Sequence, residues 1–362
     1  MATPRLEINL SKIAHNTRRL VELFGARGIS VTAVTKCMLG EPRVARSMVG
    51  AGAATIGDSR IENIRRMRRS GVEAVFVLIR SPLPSQVEEV VRYADISMNS
   101  EAEVLRRLSE AACRQGTLHR VILMVELGDL REGIPIEELD ETVATALGLP
   151  GIVLAGIGTN LGCIGGVAPT AEKMAQLSAL AERLERSCGC RLEIVSGGNS
   201  ANFNWFRDSE KTGRINNLRI GEMIFLGHET LGYAPVEGLF TDCVTLVAEV
   251  IEFKVKDSVP AGEIASNAFG QVPRFRDRGA IPRAILGLGR QDVAVCGLTP
   301  LAEVEILGSS SDHIVVDAKE LPLAVGDELR FLPDYGALLS AMTSPYVAKM
   351  FLSGGEEVEN GF

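Results

Sequence analysis

A lysine stands at the end of a short apolar run and before a bend in the chain. In TAVTKCMLGE, residues 32–41, mostly apolar residues lead to Lys36, and a Leu-Gly pair follows. A buried ammonium group is costly unless it is paired or its pKa falls. Lys36 is therefore either an ordinary strand-end lysine that reaches for water, which is the commoner case, or a reactive amine.

A second stretch has the composition of a phosphate-binding loop. In SGGNSAN, residues 196–202, two glycines let backbone N–H groups approach a ligand closely, and a serine hydroxyl adds a donor. The same residues would also form a tight turn between a strand and a helix. Taken together with Lys36, the loop suggests a Schiff-base site, where the lysine holds an aldehyde cofactor and the loop holds its phosphate. Pyridoxal 5'-phosphate has both groups.

Eight short apolar runs alternate with amphipathic helical stretches over the first two thirds of the chain. Doubly buried apolar strands that alternate with helices are typical of a parallel sheet. Eight such units predict a closed (β/α)8 barrel over residues 11–232, and an open doubly wound sheet is the alternative. The eight runs lie at residues 29–34, 53–57, 73–79, 94–98, 120–127, 152–158, 191–196 and 218–226.

The character of the sequence changes near Tyr233. Helical patterns nearly vanish, and valine-rich strands separated by Gly, Pro, Ser and Asp take over. We expect an all-β domain over residues 233–355, joined by a strand at residues 3–10, and a frayed tail over 356–362. The predicted class is thus α/β, with an N-terminal TIM barrel followed by a C-terminal all-β domain.

Polar side chains recur directly after the predicted barrel strands. In a barrel of this kind, active sites are built from residues that follow the carboxyl ends of the strands. Each residue alone is equally well explained as a solvated loop residue, but the recurrence at one rim is harder to explain in that way. The residues are Lys36, Asp58, Arg60, Arg80, Asn99, Asp129, Arg131, Thr159, Asn160 and Arg219, with Gly221 nearby.

Composition and charge exclude several classes of function. The 362 residues carry a net charge of −8, which predicts no nucleic-acid partner, and no apolar run is long enough to span a membrane. The N-terminus lacks the apolar core of a signal peptide. The seven cysteines lack Cys-x-x-Cys spacing, so we expect reduced thiols, no metal site and a cytoplasmic protein.

The chain resembles the alanine racemase family and, within it, the ornithine and lysine racemase-like branch. The family consists of pyridoxal-phosphate enzymes with an N-terminal (β/α)8 barrel and a C-terminal β-domain, and the resemblance covers nearly the whole chain. The motifs follow one another in the family's order across both domains. They are EINLSKIAHNTRRL, VTKCMLG, GDLREG, NSA at 199–201, LRIG at 218–221, VPAGE at 259–263, SSSDH at 309–313 and PDYGALLS at 333–340.

The resemblance implies a role for each matching residue. Lys36 would bind the cofactor covalently, and Arg131 would reach its phenolic oxygen. Arg219 would face the pyridine nitrogen. The residues implied for the phosphate and its surroundings are Asn199, Ser200, Gly221, Glu222 and Tyr335.

Three positions depart from the family's pattern. Gly40 replaces the tyrosine that shortly follows the cofactor lysine, and Asn160 replaces the histidine that lies along the cofactor ring. In GLGRQD, Arg290 stands where alanine racemases have the tyrosine that is the second catalytic base. A guanidinium is a poor base, although it can bind a carboxylate bidentately. The candidates for the second base, from this or a partner subunit, are Asp292, Cys296, Asp312 and His313.

The activity implied by the resemblance is racemisation of a free amino acid. Lys36 would remove the Cα proton on one face, and a group on the opposite face would return a proton. The branch suggests ornithine or lysine as the substrate, with alanine as a further possibility, and the family implies a head-to-tail homodimer. Arg219 at the ring nitrogen argues against decarboxylation. A decarboxylase with Glu222 at the ring nitrogen and a non-catalytic pyridoxal-phosphate carrier are the alternatives.

Overall fold

The chain folds into two units, of which the second is discontinuous in sequence. The structure is a computed structural model and describes residues 2–353 and 356–358. One unit runs from Leu10 to Thr241, and the other combines Met1–Asn9 with Asp242–Phe362 as far as these residues are described. The first strand of the chain, β1 (Arg5–Asn9), therefore belongs with the last strands rather than with the barrel.

The first unit contains a closed barrel of eight parallel strands in chain order. The strands are β2 (Ser30–Val34), β3 (Thr55–Asp58), β4 (Val75–Leu78), β5 (Ile96–Asn99), β6 (His119–Met124), β7 (Ile152–Gly158), β8 (Ile194–Ser196) and β9 (Asn217–Ile220). Strands β2 and β9 close it, with Ser30 opposite Asn217 and Ala33 opposite Ile220. The predicted barrel is confirmed, and the open sheet is wrong because an open sheet does not pair its first and last strands.

Amphipathic helices accompany the strands. In α1 (Leu10–Gly25), Ile13, Leu20 and Phe24 are buried at helical spacing, so one face of the helix packs inward. Among the described residues, no helix is both long and apolar enough to cross a membrane. The remaining helices of this unit are α2 (Pro42–Gly50), α3 (Ile61–Arg69), α4 (Val87–Tyr93), α5 (Ala102–Arg114), α6 (Leu139–Gly148), α7 (Ala171–Cys188), α8 (Phe203–Asp208) and α9 (Glu222–Leu226).

The predicted strand over residues 218–226 is wrong in its second half. The strand ends at Ile220, and α9 begins directly after Gly221. A Cβ added to Gly221 would lie 3.1 Å from the Val34 Cβ, so a larger residue would crowd Val34 at this turn. The residues after Glu222 are buried, and a continuous apolar run does not distinguish a buried helix from a buried strand.

The second unit is built on a nine-stranded sheet. Its strands besides β1 are β10 (Val244–Asp257), β11 (Ala280–Leu286), β12 (Leu298–Pro300), β13 (Glu305–Ser309), β14 (Ile314–Asp317), β15 (Glu328–Pro333), β16 (Ala348–Ser353) and β17 (Glu356–Val358). Strand β1 lies between β10, which is antiparallel to it, and β16, which is parallel to it. One helix, α10 (Tyr335–Thr343), interrupts the predicted all-β pattern, and the Asp334 carboxylate caps it by accepting from Ala337 N at 2.7 Å.

The frayed tail predicted over residues 356–362 is wrong in part. Strand β17 pairs with β16 in the antiparallel sense, with Phe351 opposite Val358. Backbone pairing of this kind needs no alternation of apolar side chains, since the edge strand offers unpaired N–H and C=O groups to any extended segment. Residues 354–355 and 359–362 lie outside the described part of the chain.

A buried histidine gives the barrel a specific acid sensitivity. His119 is 2% exposed and its Nε2 lies 2.8 Å from Ser97 Oγ. Burial lowers the pKa of His119 to about 4, against an attraction to Asp95 that acts in the other direction. The imidazole therefore stays neutral in the folded protein down to a pH at which the unfolded chain already binds a proton.

We expect His119→Gln to remove part of the acid sensitivity. Because the pKa of His119 is lower in the folded state, its contribution is present above pH 6.5 and is lost as the pH falls toward about 4. Glutamine keeps a nitrogen near Ser97 and does not titrate. Between pH 7 and pH 4, the free energy of unfolding of the wild type should fall relative to the variant by about 3 kcal/mol. Urea unfolding at both pH values measures this difference, and an equal fall in the wild type and the variant would contradict the prediction.

Candidate active site

Lys36 lies where strand β2 gives way to a tight turn. Thr35 follows the strand, and a single 3₁₀ turn, Lys36–Met38, follows Thr35. Leu39 and Gly40 then take positive φ angles of 53° and 61°, which turn the chain sharply. Lys36 itself is half-buried. The lysine is thus held at the carboxyl end of a barrel strand by a backbone that reverses immediately after it.

Asp58, at the end of strand β3, fixes the turn that carries Lys36. Its carboxylate accepts hydrogen bonds from Thr35 Oγ1 at 2.8 Å, Arg60 N at 2.9 Å and Asn63 Nδ2 at 2.9 Å. Burial raises the pKa of Asp58. The adjacent Cys37 thiol has its pKa raised to about 12 by burial, so it is neutral near pH 7 and is no nucleophile. Asp58 was a candidate rim residue, and in the structure its partners are neighbouring protein groups.

Arg219 extends from strand β9 into a fully enclosed hydrogen-bond network. Its Nη1 donates to Ser196 Oγ at 2.6 Å, and its Nη2 donates to Thr159 O at 2.8 Å and Asn160 Oδ1 at 3.2 Å. The residue is 5% exposed. Burial lowers the pKa of Arg219 to about 10. The guanidinium is therefore still charged at neutral pH, with three acceptors fixing its plane.

Asn199 and Asn160 connect this network to the glycine-rich loop. Asn199 Nδ2 donates to Asn160 Oδ1 at 3.1 Å and to Leu161 O at 2.8 Å. Asn199 Oδ1 accepts from Ala201 N at 2.8 Å, which shapes the loop around Ser200. The structure therefore brings the predicted residues Asn160, Asn199, Ser200 and Arg219 together in one part of the barrel.

The loop after β8 meets the turn after β9. Ser200 is buried, and its Oγ accepts a hydrogen bond from Met223 N at 3.4 Å. Gly221 and Glu222 occupy the turn that leads to Met223. The Ser200 hydroxyl and the backbone N–H of Met223 therefore meet where the two loops converge. The motifs SGGNSAN and LRIG each predicted a phosphate-binding role for their own loop.

Arg131 belongs to the same electrostatic environment. Its guanidinium is paired with Glu132, and its Nη1 donates to Cys163 Sγ at 3.0 Å. Besides burial, the charges that act on the pKa of Arg219 are those of Glu132, which raises it, and Arg131, which lowers it. Arg131 and Arg219 are therefore close enough to interact, and the negative charge of Glu132 opposes the effect of Arg131 on the pKa of Arg219.

Buried polar atoms without hydrogen-bond partners follow four consecutive barrel strands. Such atoms are rare in folded proteins, and each calls for an explanation. Two are donors, on Arg80 and Asn160, and two are acceptors, on Asn99 and Asp129. Within the described residues the unpartnered atoms at these ends are Arg80 Nε after β4, Asn99 Oδ1 at the end of β5, Asp129 Oδ2 after β6 and Asn160 Nδ2 after β7. Ligand groups bound at this rim would satisfy them.

The remaining candidates lie in the second unit. Arg290 Nε donates to Ser309 Oγ at 3.0 Å, and the guanidinium stacks on Phe269 with 3.9 Å to the ring centroid. Arg290 N donates to Ser310 O at 3.0 Å, which joins the GLGRQD and SSSDH loops. Asp312 and His313 are exposed in the second of these loops, and Tyr335 begins α10.

Two of the candidates for a second base differ in their surroundings. Asp292 is buried and accepts from Gly289 N at 2.9 Å, so its carboxylate holds the GLGRQD turn. Cys296 is exposed and, with Arg290, lines a cavity of about 620 Å³. In the described part of the chain, no three His, Cys, Asp or Glu side chains are arranged to hold a metal ion.

Sequence reasoning missed three residues that shape this site. Glu132 pairs with Arg131, and its only signal was its place inside GDLREG. The sequence marks Ser196 only as the first residue of the glycine-rich loop, yet its Oγ accepts a hydrogen bond from Arg219 Nη1. Asn217 accepts from Ser196 and had no signal, because nothing in a single sequence indicates which strand neighbours share hydrogen bonds.

The comparisons with known proteins place the chain among racemases. The family model for the alanine racemase N-terminal domain matches residues 8–229. The chain is 42% identical to a lysine racemase of Thermotoga maritima over 97% of this chain and 99% of that protein. It is 37% identical to an ornithine racemase of Acetoanaerobium sticklandii over 96% of this chain and 99% of that protein. In fold it is similar to an alanine racemase of Streptomyces lavendulae, with a TM-score of 0.74, 20% identity and 98% of each chain covered.

Proposed function

Because the chain belongs to the alanine racemase family, we propose that it is a pyridoxal 5'-phosphate-dependent racemase of a basic amino acid, lysine or ornithine. The observation that carries the proposal is the nearly full-length similarity to a lysine racemase and an ornithine racemase. The barrel supports it with a half-buried lysine and two arginines at one rim. We further propose that the protein works as a head-to-tail homodimer in the cytoplasm.

The residues of the barrel fit the proposed cofactor. Asn160 Nδ2 and Arg80 Nε are buried donors that lack partners in the described structure, as expected where an anionic ligand is to bind. Lys36 would hold the cofactor through its amine. Arg219 would serve the ring nitrogen and Arg131 the phenolic oxygen. The barrel groups proposed for the phosphate and its surroundings are Asn199, Ser200, Gly221 and Glu222. The resemblance to the family adds Tyr335, which belongs to the second unit.

Bound pyridoxal phosphate would withdraw electrons from the Cα of an attached amino acid and so acidify its C–H bond. The Lys36 amine would accept that proton on one face. Arg219 retains its own protons near pH 7, because its pKa of about 10 is well above that pH. It would therefore donate to the ring nitrogen without protonating it, which would weaken the electron sink and suit removal and return of one proton rather than decarboxylation. Glu222 begins α9, whereas Arg219 is the residue held by the network, and this supports Arg219 over Glu222 as the group proposed for the ring nitrogen.

The second face of the substrate needs a different group. In the proposed head-to-tail dimer, the second unit of one subunit would close the barrel of the other. We assign the substrate carboxylate to Arg290 of that unit, whose guanidinium is exposed and cannot act as a base. Asp312 is our candidate for the proton on this face, since Arg290 N and Ser310 O hold the two loops together and the Asp312 carboxylate is exposed. For the side-chain ammonium of a basic substrate, the unpartnered acceptors Asn99 Oδ1 and Asp129 Oδ2 have the required chemistry.

The proposal is tested with single enantiomers of lysine, ornithine and alanine. With pyridoxal phosphate present, L-lysine and L-ornithine should approach equal amounts of both enantiomers by chiral chromatography, and in D₂O the products should carry deuterium at Cα. Each D-enantiomer should give the same final mixture, and alanine should react more slowly. Release of carbon dioxide would support a decarboxylase, and cofactor binding without any turnover would support a carrier. Either result would refute the racemase.

A further inference from the structure

A line of buried hydrogen bonds runs from Arg219 away from the rim. Arg219 Nη1 donates to Ser196 Oγ at 2.6 Å, and Ser196 Oγ lies 2.7 Å from Asn217 Oδ1. Asn217 Nδ2 lies 3.0 Å from Thr32 Oγ1 and 3.1 Å from Ser30 Oγ. Asn217 and Thr32 line a cavity of about 240 Å³. The proposed mechanism uses Arg219 and none of the other residues in this line.

The chemistry of these groups gives the line one direction. Asn217 Nδ2 can only donate, so it serves Thr32 and Ser30, and Asn217 Oδ1 is left to accept from Ser196. A serine hydroxyl has one proton. Since that proton goes to Asn217, Ser196 offers only lone pairs to Arg219 Nη1. The Asn217 amide thus fixes the direction of the Ser196 hydroxyl proton and leaves the serine lone pairs for Arg219 Nη1.

Burial makes these bonds effective. Ser196 is 0% exposed, Thr32 3% and Asn217 8%, so bulk water has little access to the donors and acceptors of these three residues. Hydrogen bonds in such surroundings are stronger, and an unmade one is costly. Loss of the Ser196 hydroxyl would leave a buried guanidinium nitrogen without its acceptor, and the guanidinium would turn toward its remaining acceptors, Thr159 O and Asn160 Oδ1.

We propose that Ser196, Asn217 and Thr32 are positioning residues, which hold the Arg219 guanidinium in the plane required at the cofactor ring. This inference rests on the proposed function, because the group to which Arg219 is presented is the proposed cofactor. None of the three residues touches the substrate in this proposal. They act through Arg219. The hydrogen bonds run from Thr32, which lines the 240 Å³ cavity, to Asn217, then to Ser196 and then to Arg219.

The chain offers a matched control for this inference. Thr32 and Thr55 lie opposite each other on strands β2 and β3, and both line the same cavity. Only Thr32 contacts Asn217, and the Thr55 hydroxyl has no hydrogen bond in the described part of the chain. Thr32→Val and Thr55→Val therefore make the same chemical change in the same cavity, with and without the link to Arg219.

The experiment compares Ser196→Ala, Thr32→Val and Thr55→Val in the full-length protein loaded with pyridoxal phosphate. Ser196→Ala should lower kcat by roughly 10-fold with little change in KM and should shift the absorption maximum of the bound cofactor. Thr32→Val should produce the same changes to a smaller extent, about 3-fold in kcat. Thr55→Val should alter neither. Equal effects of the two threonine variants, or an unchanged spectrum in Ser196→Ala, would overturn the inference.

A second measurement needs no cofactor. In a double-mutant cycle on thermal unfolding of the unloaded protein, Ser196→Ala and Thr32→Val should be coupled, while Ser196→Ala and Thr55→Val should be additive. If the wild type neither binds pyridoxal phosphate nor racemises, the proposed function fails by itself. The hydrogen-bond line is then judged by this cycle, and additivity of the first pair would refute it.

Discussion

Replacing Lys36 with alanine is expected to lower the rate of racemisation by about 10³-fold or more. The side chain is half-buried at the end of β2, on a turn fixed by Asp58, and we assign to it both the covalent attachment of the cofactor and the acceptance of a proton. Alanine supplies neither amine nor base. Chiral chromatography of the wild type and the variant, with lysine and ornithine, measures the loss.

The control for this variant is a second lysine of the barrel unit. Lys173 lies in the first turn of α7 and has no role in the mechanism. Lys173→Ala should retain the wild-type rate and the wild-type absorption of bound cofactor, whereas Lys36→Ala should lose both. A Lys36→Ala protein that racemised within tenfold of the wild type would show that another residue carries the chemistry.

Replacing Arg219 with lysine should have the second largest effect, a decrease in kcat of about 10²-fold. Lysine preserves a positive charge but not the planar fork that donates to Ser196, Thr159 and Asn160 at the same time. Some of the oxygen atoms that accept from the guanidinium would lose their donor, and this should lower the free energy of unfolding by about 1–3 kcal/mol. Steady-state kinetics and urea unfolding measure the two effects separately.

Arg214 provides the matched control for Arg219. It is another partly buried arginine of the barrel unit, paired with Glu185 at 2.5 Å. Arg214→Lys should change stability at most and leave kcat at the wild-type value. If both variants lost activity in proportion to their lost stability, the effect of Arg219 would be structural, and its assignment to the ring nitrogen would be wrong.

The sequence was most informative where local chemistry and local structure coincide. The predicted family, the racemase class and the barrel are confirmed, because the alternation of apolar runs with amphipathic helices and the motifs around Lys36 and Ser200 are readable along the chain. The cofactor and the roles of individual residues stay predictions. They depend on a ligand and on the proximity of side chains, which one-dimensional patterns do not contain.

The failures have physical causes at particular residues. Apolar residues after Gly221 form a buried helix, since burial on all sides removes the periodicity that would separate helix from strand. Strand β17 pairs through backbone groups, and its sequence, Glu-Glu-Val, lacks the alternation of apolar and polar residues that would predict a strand. Ser196 bonds to Arg219, and Asn217 bonds to Ser196. These hydrogen bonds join strands that are adjacent in space, which the pattern of a single sequence does not indicate.

The placement of β1 has a consequence for biosynthesis. Strand β1 pairs with β16, so Arg5 must find Ala348, although it leaves the ribosome first. The barrel from Leu10 to Thr241 has all its strands before β10 is made, and it can therefore fold while translation continues. During that time residues 5–9 lack both of the strands with which β1 pairs in the folded chain. The sheet of the second unit is thus completed by a segment made at the opposite end of the chain, and β1 can be paired only late in synthesis.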